Sequence, residues 1–165
     1  MKTTGREMHL VKQIGEYLVC AELGRSGYIA TSFTGNVPEF DILAIDKSNR
    51  VLPIQVKAVR HGQWQFNARR FMDITLTPDG MQVIDGKVSL THPDLVCVFV
   101  RLVAQGQDEF YILTLSDLQD IVFTVHSHWL AQHGGRRPKK PESMHTSVSV
   151  ADLASYRDNW SLLEV

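Results

Sequence analysis

The stretch that decides the fold is Val37-Pro-Glu-Phe-Asp-Ile-Leu-Ala-Ile-Asp46, followed closely by Val51-Leu-Pro-Ile-Gln-Val-Lys-Ala58. Both segments have the apolar, β-branched composition of strands. Side chains alternate across a strand, so Gln55 and Lys57 share one face and the apolar residues between them share the other. Asp41 stands among apolar neighbours, where an unpaired charge is costly without a partner or a function. A carboxylate and a Gln–Lys pair on neighbouring strands predict a metal site for cutting phosphodiesters.

The spacing resembles that of the PD-(D/E)xK nuclease superfamily. Its signature is an Asp early in one strand, a short hairpin, and then an acidic residue and a Lys two positions apart in the next strand. The matching residues here are Asp41, Gln55 and Lys57. Gln55 departs from the pattern, because it places a neutral amide where the family has a second charged ligand.

Upstream residues extend the resemblance to the archaeal Holliday-junction-resolvase type of this superfamily. A helical segment with Gly15-Glu16-Tyr17 precedes Gly24-Arg-Ser-Gly-Tyr28, and Glu16 matches the helical Glu that completes the acidic cluster. The resemblance covers about residues 8 to 115. It implies an α/β (α+β) fold with a restriction-endonuclease-like core, in which a central mixed sheet of about four or five strands is flanked by helices.

The resemblance also implies a division of roles in the site. Asp41 is expected to be the main ligand of Mg²⁺ or Mn²⁺, Glu16 a second ligand, and the Gln55 side-chain oxygen a weaker, neutral one. Lys57 is expected to orient the nucleophile or to stabilise charge at the phosphate. Each residue also has an ordinary interpretation: Glu16 paired with Lys12 at helical spacing, Asp41 capping a turn, Gln55 bonding a backbone group, and Lys57 solvated.

Bulk composition indicates an ordinary globular chain. At 165 residues, with 44% hydrophobic and 21% charged residues, we expect one nuclease-like domain spanning 1–165. The sequence has no apolar run of membrane-spanning length and no hydrophobic signal segment, which predicts a cytoplasmic protein without membrane contact. Cys20 and Cys97 lie among apolar residues and are expected to be free thiols, not a disulfide or a zinc site.

Positive charge is concentrated around the proposed site. The segment from Lys47 to Met72 contains six cations and no acidic residue. Aromatic residues, Trp64 among them, are interleaved with these cations, as expected of a surface that neutralises phosphates and stacks on bases. We expect this segment to bind nucleic acid, most readily DNA, through Arg60, Arg69, Arg70 and Trp64. The alternative is a charged strand face that is merely solvated.

Secondary structure follows from apolar periodicity. A stripe at three- and four-residue spacing predicts a helix over 8–24, and strands are expected at 28–33, 40–46, 51–59, 94–101 and 109–114. Residues 63–77 are read as another strand pair, and a further helix is expected from Ser116 to about His128. Pro53 within a strand implies an unpaired position or a bulge there.

The last part of the chain shifts in composition. A basic loop at about 133–145 carries Arg136, Arg137, Lys139 and Lys140 and is expected to be mobile, either as an arm along a nucleic-acid backbone or as a solvated connection. A capping-box-like Ser149-Val-Ala-Asp152 predicts a C-terminal helix over about 149–160. His126 and His128 lack the partners of a zinc site.

Two classes of function remain. One is a Mg²⁺- or Mn²⁺-dependent DNA endonuclease, with a homodimer as one way to cut both strands. The other is a nuclease-like module that has lost catalysis and binds nucleic acid or a protein partner.

Overall fold

A computed structural model describes residues 4–33 and 38–164. The N-terminal helix α1 spans Gly5–Arg25 and begins with a capping box, in which Thr4 and Glu7 bond each other's backbone amides. The helix packs against the central sheet at Gly15, where a Cβ atom would lie 2.5 Å from the Cβ atom of Ala58. Glycine is therefore what allows α1 to approach the sheet so closely.

A five-stranded mixed sheet forms the centre of the fold, as the sequence predicts. Its strands are β1 (Ile29–Ser32), β2 (Ile42–Ile45), β3 (Val51–Val59), β7 (Val96–Arg101) and β8 (Glu109–Thr114), in the order β1-β2-β3-β7-β8. All neighbours are antiparallel except β3 and β7, which run parallel. The register passes Pro53 without a bulge, and pairing with β7 begins only at Ile54. Pro53 therefore has no strand partner on that side, which is where its missing donor costs least.

The two faces of the sheet are covered differently. On one face, α1 buries Val19 and Leu23 against Ile54 and Val56. On the other face, the helix α2 (Leu115–Gln132) packs with Phe99 and its neighbours. α2 begins at a Thr114–Asp117 capping box and runs one turn further than the sequence predicts.

Two small hairpin-like sheets complete the second face. β4 (Trp64–Asn67) pairs with β9 (His145–Val148), and β5 (Met72–Leu76) pairs with β6 (Gln82–Lys87). The prediction of a strand pair within 63–77 is thus right about the strands and wrong about their partners. β4 instead pairs with a segment about 80 residues away, which local sequence patterns do not reveal.

The predicted C-terminal helix over 149–160 is wrong. Ser149 and Asp152 do form the expected reciprocal hydrogen bonds. Only two short 3₁₀ helices follow, at Ala154–Tyr156 and Trp160–Glu164, and Asp158 between them has a φ of 51°. A left-handed residue interrupts any continuous helix at this point.

The basic loop at 133–145 is fastened to the body of the protein, contrary to the expectation of a mobile arm. Gln82 donates from its backbone to the Gly135 carbonyl and from its side chain to the carbonyls of Pro141 and Ser143. Ala68 also donates to the Met144 carbonyl at 2.7 Å. Within the described residues, no helix combines the length and the apolar character needed to cross a membrane.

Candidate functional site

The candidate site lies where β3 continues beyond the start of β2. Pairing between the two strands ends at Ile42 and Ile54, and β3 runs on to Val59. Asp41, the residue just before β2, fills the opening: its Oδ2 accepts a hydrogen bond from the Val56 amide at 2.9 Å. The carboxylate thus satisfies a strand amide that would otherwise have no partner on this edge.

The second oxygen of Asp41 faces a lysine from α1. Lys12 Nζ lies 3.2 Å from Asp41 Oδ1 and 3.6 Å from Glu16 Oε1. The Glu16–Lys12 pair that helical spacing suggests is therefore present, and it is part of the site. Asp41 and Glu16 converge on one cationic nitrogen, as the shared acidic cluster requires.

The pKa values of these groups reflect burial and mutual charge. Burial raises the pKa of Glu16, and the negative charge of Asp41 raises it further, while Lys12 opposes both effects. For Lys12, burial by itself lowers the pKa, but the carboxylates of Asp41 and Glu16 outweigh it and the net shift is upward. The cluster therefore favours a cation between the two carboxylates.

Gln55 and Lys57 point away from α1, on the same face of β3. The Gln55 amide nitrogen donates to the Glu39 carbonyl at 3.3 Å, which ties this side chain to the segment leading into Asp41. Lys57 Nζ lies 5.5 Å from the centroid of the Phe66 ring. Burial lowers the pKa of Lys57, as does the positive charge of Arg70, whereas Asp41 raises it. Lys57 is thus a partly buried cation within the electrostatic reach of Asp41.

An open groove of about 460 Å³ extends from Lys57. One wall comes from β4 and the turn after it, and the other from the anchored loop. Its polar and charged lining residues include Lys57, Gln65, Asn67, Arg70, Ser143 and His145. Ser143, His145, Gln65 and Asn67 were not singled out from the sequence, because it takes the β4–β9 pairing to bring the two segments together.

The predicted nucleic-acid-binding arginines differ in their positions. All three are exposed: Arg60, Arg69 and Arg70. Arg70 lines the groove beside Lys57, and Arg60 lies close enough to Glu7 of α1 to lower the pKa of that carboxyl. Arg69 follows Asn67, whose side chain accepts from the Arg69 amide at 3.0 Å. Of the three, Arg70 is the nearest to the candidate site.

Trp64 does not offer a stacking face, contrary to the expectation from composition. It is only 3% exposed and packs edge-on against Phe99 and Tyr111. Its indole nitrogen donates to the Lys57 carbonyl at 3.0 Å. Trp64 therefore belongs to the core and fixes the backbone of β3 behind Lys57, because aromatic residues with polar tips are buried when the tip finds a partner.

The four cations of the anchored loop also separate into two groups. Lys139 and Lys140 are exposed, as is Arg136, which lies near Asp79. Arg137 instead stacks on Trp129, with its guanidinium carbon 4.7 Å from the ring centroid, and donates to the His145 carbonyl. This side chain is half-buried and occupied by the fold, so it is a poor candidate for a phosphate contact.

The donor set suits a hard divalent cation only in part. Carboxylate and amide oxygens are the ligands that Mg²⁺ prefers, and the ammonium of Lys12 marks a cation position between two of them. Among residues 4–33 and 38–164, no group of three or more His, Cys, Asp or Glu side chains is placed to hold a metal ion. A metal here would rely on two carboxylates, on Gln55 and on water.

The histidines and cysteines play no visible part in the site. His126 is buried, and its Nε2 lies 3.1 Å from the Gln82 side-chain oxygen. Both cysteines are free, as expected: Cys20 is half-buried and Cys97 is buried. Burial raises the pKa of the Cys97 thiol to about 12, so it stays protonated at neutral pH.

Comparison with known proteins gives one informative match. A solved structure of a bacterial homing endonuclease, I-Ssp6803I, aligns over 94% of this chain and 91% of its own chain, with a TM-score of 0.50 and 13% sequence identity. The chain has a nuclease-like fold. No protein-family model and no curated protein sequence matches it. At this identity the match concerns the fold, and the activity has to be argued from the site.

Proposed function

We propose that the protein is a metal-dependent endonuclease that hydrolyses DNA phosphodiester bonds. The observation that carries the proposal is the convergence of Asp41 and Glu16 on one cation position, 3.2 and 3.6 Å from the same nitrogen. Lys57 lies within electrostatic reach of this position and opens onto a groove with basic residues. The solved structure with the similar fold is that of an endonuclease, which agrees with this class of activity.

In this proposal Asp41 and Glu16 hold Mg²⁺ or Mn²⁺, and the Gln55 oxygen is a weaker third ligand. The bound metal would supply positive charge at the phosphate and make water easier to deprotonate. Lys57 places its ammonium beside the scissile phosphate, where its partly desolvated charge acts more strongly than it would in water. Arg70 and the groove hold the neighbouring phosphates in place.

A plasmid-nicking assay tests the proposal. Wild-type protein should convert supercoiled plasmid to open circles in Mg²⁺ or Mn²⁺ and should fail to do so in EDTA. Asp41→Asn is the sharpest variant, because its amide oxygen keeps the hydrogen bond from Val56 while the charge is lost. It should lower the rate by at least about a hundredfold, since one metal ligand is weakened. Asp94→Asn, at an exposed position, is the matched control.

Lys57→Met tests the proposed role at the phosphate. It should lower the cleavage rate about as strongly as Asp41→Asn does, because it removes the positive charge at the reacting group while its apolar stem still packs on Phe66. Undiminished metal-dependent nicking by purified Asp41→Asn or Lys57→Met protein contradicts the assignment.

A second candidate function rests on Gln55. With a neutral amide in place of a third charge, the chain fits a nucleic-acid-binding module that has lost catalysis. Gln55→Glu distinguishes the two: it should tighten Mn²⁺ binding in either case, since it adds an anionic ligand. Wild-type protein that binds DNA but cleaves it in no divalent metal, together with a Gln55→Glu variant that gains cleavage, would favour the binding module.

A further inference from the structure

Lys12 lies in the space between the two carboxylates to which the proposed function assigns a metal. We propose that Lys12 is a built-in counter-ion that a divalent metal must displace, so that this residue sets the metal concentration at which the site fills. The inference rests on the proposed metal site and adds a means of regulating it.

The geometry makes Lys12 and a metal mutually exclusive. Mg²⁺ needs its oxygen ligands at about 2.0–2.1 Å. Lys12 Nζ already lies 3.2 Å from Asp41 Oδ1 and 3.6 Å from Glu16 Oε1. A doubly charged ion bound to the same two oxygens would lie within a few ångströms of the ammonium, where like charges repel strongly. The metal can therefore bind both carboxylates only after the ammonium has left.

The lysine side chain is able to leave. It is 44% exposed, whereas the side chains of Asp41 and Glu16 are 16% and 11% exposed. Its flexible four-carbon stem carries a point charge that hydrates readily in solvent. The two carboxylates, by contrast, are held by the Val56 amide and by the position of α1. Exchange of the ammonium for a metal thus requires one side chain to rotate and leaves the backbone in place.

In the metal-free protein, Lys12 also prevents a repulsion. Asp41 and Glu16 are both largely covered, and without a cation between them two negative charges would face each other in poorly hydrated surroundings. Lys12 supplies that charge until a metal replaces it. The same contact therefore stabilises the empty site and weakens metal binding.

Calorimetric titration of Mn²⁺ into the full chain tests the inference. Lys12→Met removes the charge but keeps much of the apolar stem, and it should lower the Mn²⁺ Kd at least about tenfold, equivalent to about 1.4 kcal/mol. Lys12→Arg keeps the charge and should bind no more tightly than wild type. Lys47→Met, on the exposed turn at the far end of β2, removes the same charge away from the site and should leave the Kd within about twofold.

Thermal unfolding supplies a second readout. In EDTA, Lys12→Met should melt below wild type, since its carboxylates repel each other. Saturating Mn²⁺ should raise its melting temperature by more than that of wild type, because binding to the folded state stabilises it. A lysine with only a structural role would lower the melting temperature equally with and without metal. Lys12→Gln repeats both measurements should the methionine variant fail to fold.

The outcomes separate this inference from the proposed function. Mn²⁺ that binds wild type and Lys12→Met equally overturns the counter-ion role and leaves the metal site standing. Mn²⁺ that binds Lys12→Met but not wild type supports the counter-ion role and removes the proposed wild-type activity. Absence of binding to wild type, Lys12→Met and Lys12→Gln overturns both.

Discussion

Gly15→Ala should destabilise the protein, although alanine is normally the better helix residue. In an unobstructed helix interior this substitution gains about 1 kcal/mol. At Gly15 the added Cβ atom would meet the Cβ atom of Ala58 at 2.5 Å, and neither atom can rotate away because both are attached to backbone. Either α1 or β3 must shift, and overpacking of this kind costs about 1–3 kcal/mol. We expect a net loss of about 1–2 kcal/mol in the free energy of unfolding.

Urea denaturation in EDTA measures this change without interference from metal. Gly24→Ala is the control, because a Cβ atom at Gly24 has nothing within 4 Å; this variant should be neutral or more stable than wild type. Ala58→Gly should rescue Gly15→Ala, since it removes the other atom of the clash. The double-mutant cycle should give a coupling energy of about 1–3 kcal/mol. A Gly15→Ala variant that gains stability like Gly24→Ala, or a cycle without coupling, refutes this packing of α1.

Three further predictions concern stability and binding. Asp41→Ala should lower the free energy of unfolding by about 1–3 kcal/mol relative to Asp41→Asn in urea denaturation, because it leaves the Val56 amide without its partner; equal stabilities contradict the proposed cap. Burial, with a contribution from a nearby arginine, lowers the pKa of His126 to about 4, from 6.5 in the unfolded chain. Between these values the unfolded state binds the extra proton, so the stability supported by neutral His126 is lost as the pH falls from 6.5 towards 4, by up to about 1.4 kcal/mol per pH unit. His126→Gln should flatten this dependence in denaturation series at several pH values, and parallel curves contradict it. DNA affinity should weaken steeply with salt in fluorescence anisotropy, and the slope should fall by about one unit for each phosphate that is no longer neutralised when alanine replaces the three exposed arginines; an unchanged slope makes them a solvated face: Arg60, Arg69 and Arg70.

The elements that sequence predicts well are those whose partners are near in the chain. β3 has the predicted bounds Val51–Val59, because an apolar alternation between a hairpin turn and a charged end is a local signal. The β7–β8 pair is likewise adjacent in sequence and is confirmed. The family resemblance implies a mixed sheet, and the parallel pairing of β3 with β7 bears this out.

The misses come from tertiary contacts. Trp64 has the composition of a nucleic-acid-binding surface, but its position is decided by packing against Phe99 and Tyr111 on strands further along the chain. Lys12 is visible in sequence only as a helical partner of Glu16. Its contact with Asp41, across 29 positions, exists only because α1 packs against the sheet. A local pattern contains no information about either contact.

The two oxygens of Asp41 have different duties, and this bears on how such a chain evolves. Oδ2 closes the edge of β3 through Val56, and Oδ1 faces the cation position. Natural selection for a stable fold alone would therefore retain an Asp or Asn at this position after any catalysis had disappeared. Glu16 and Lys57 make no such backbone contact, so drift would replace them sooner. In divergent descendants of this fold, the survival of those two side chains, more than that of the aspartate, would separate working nucleases from relics.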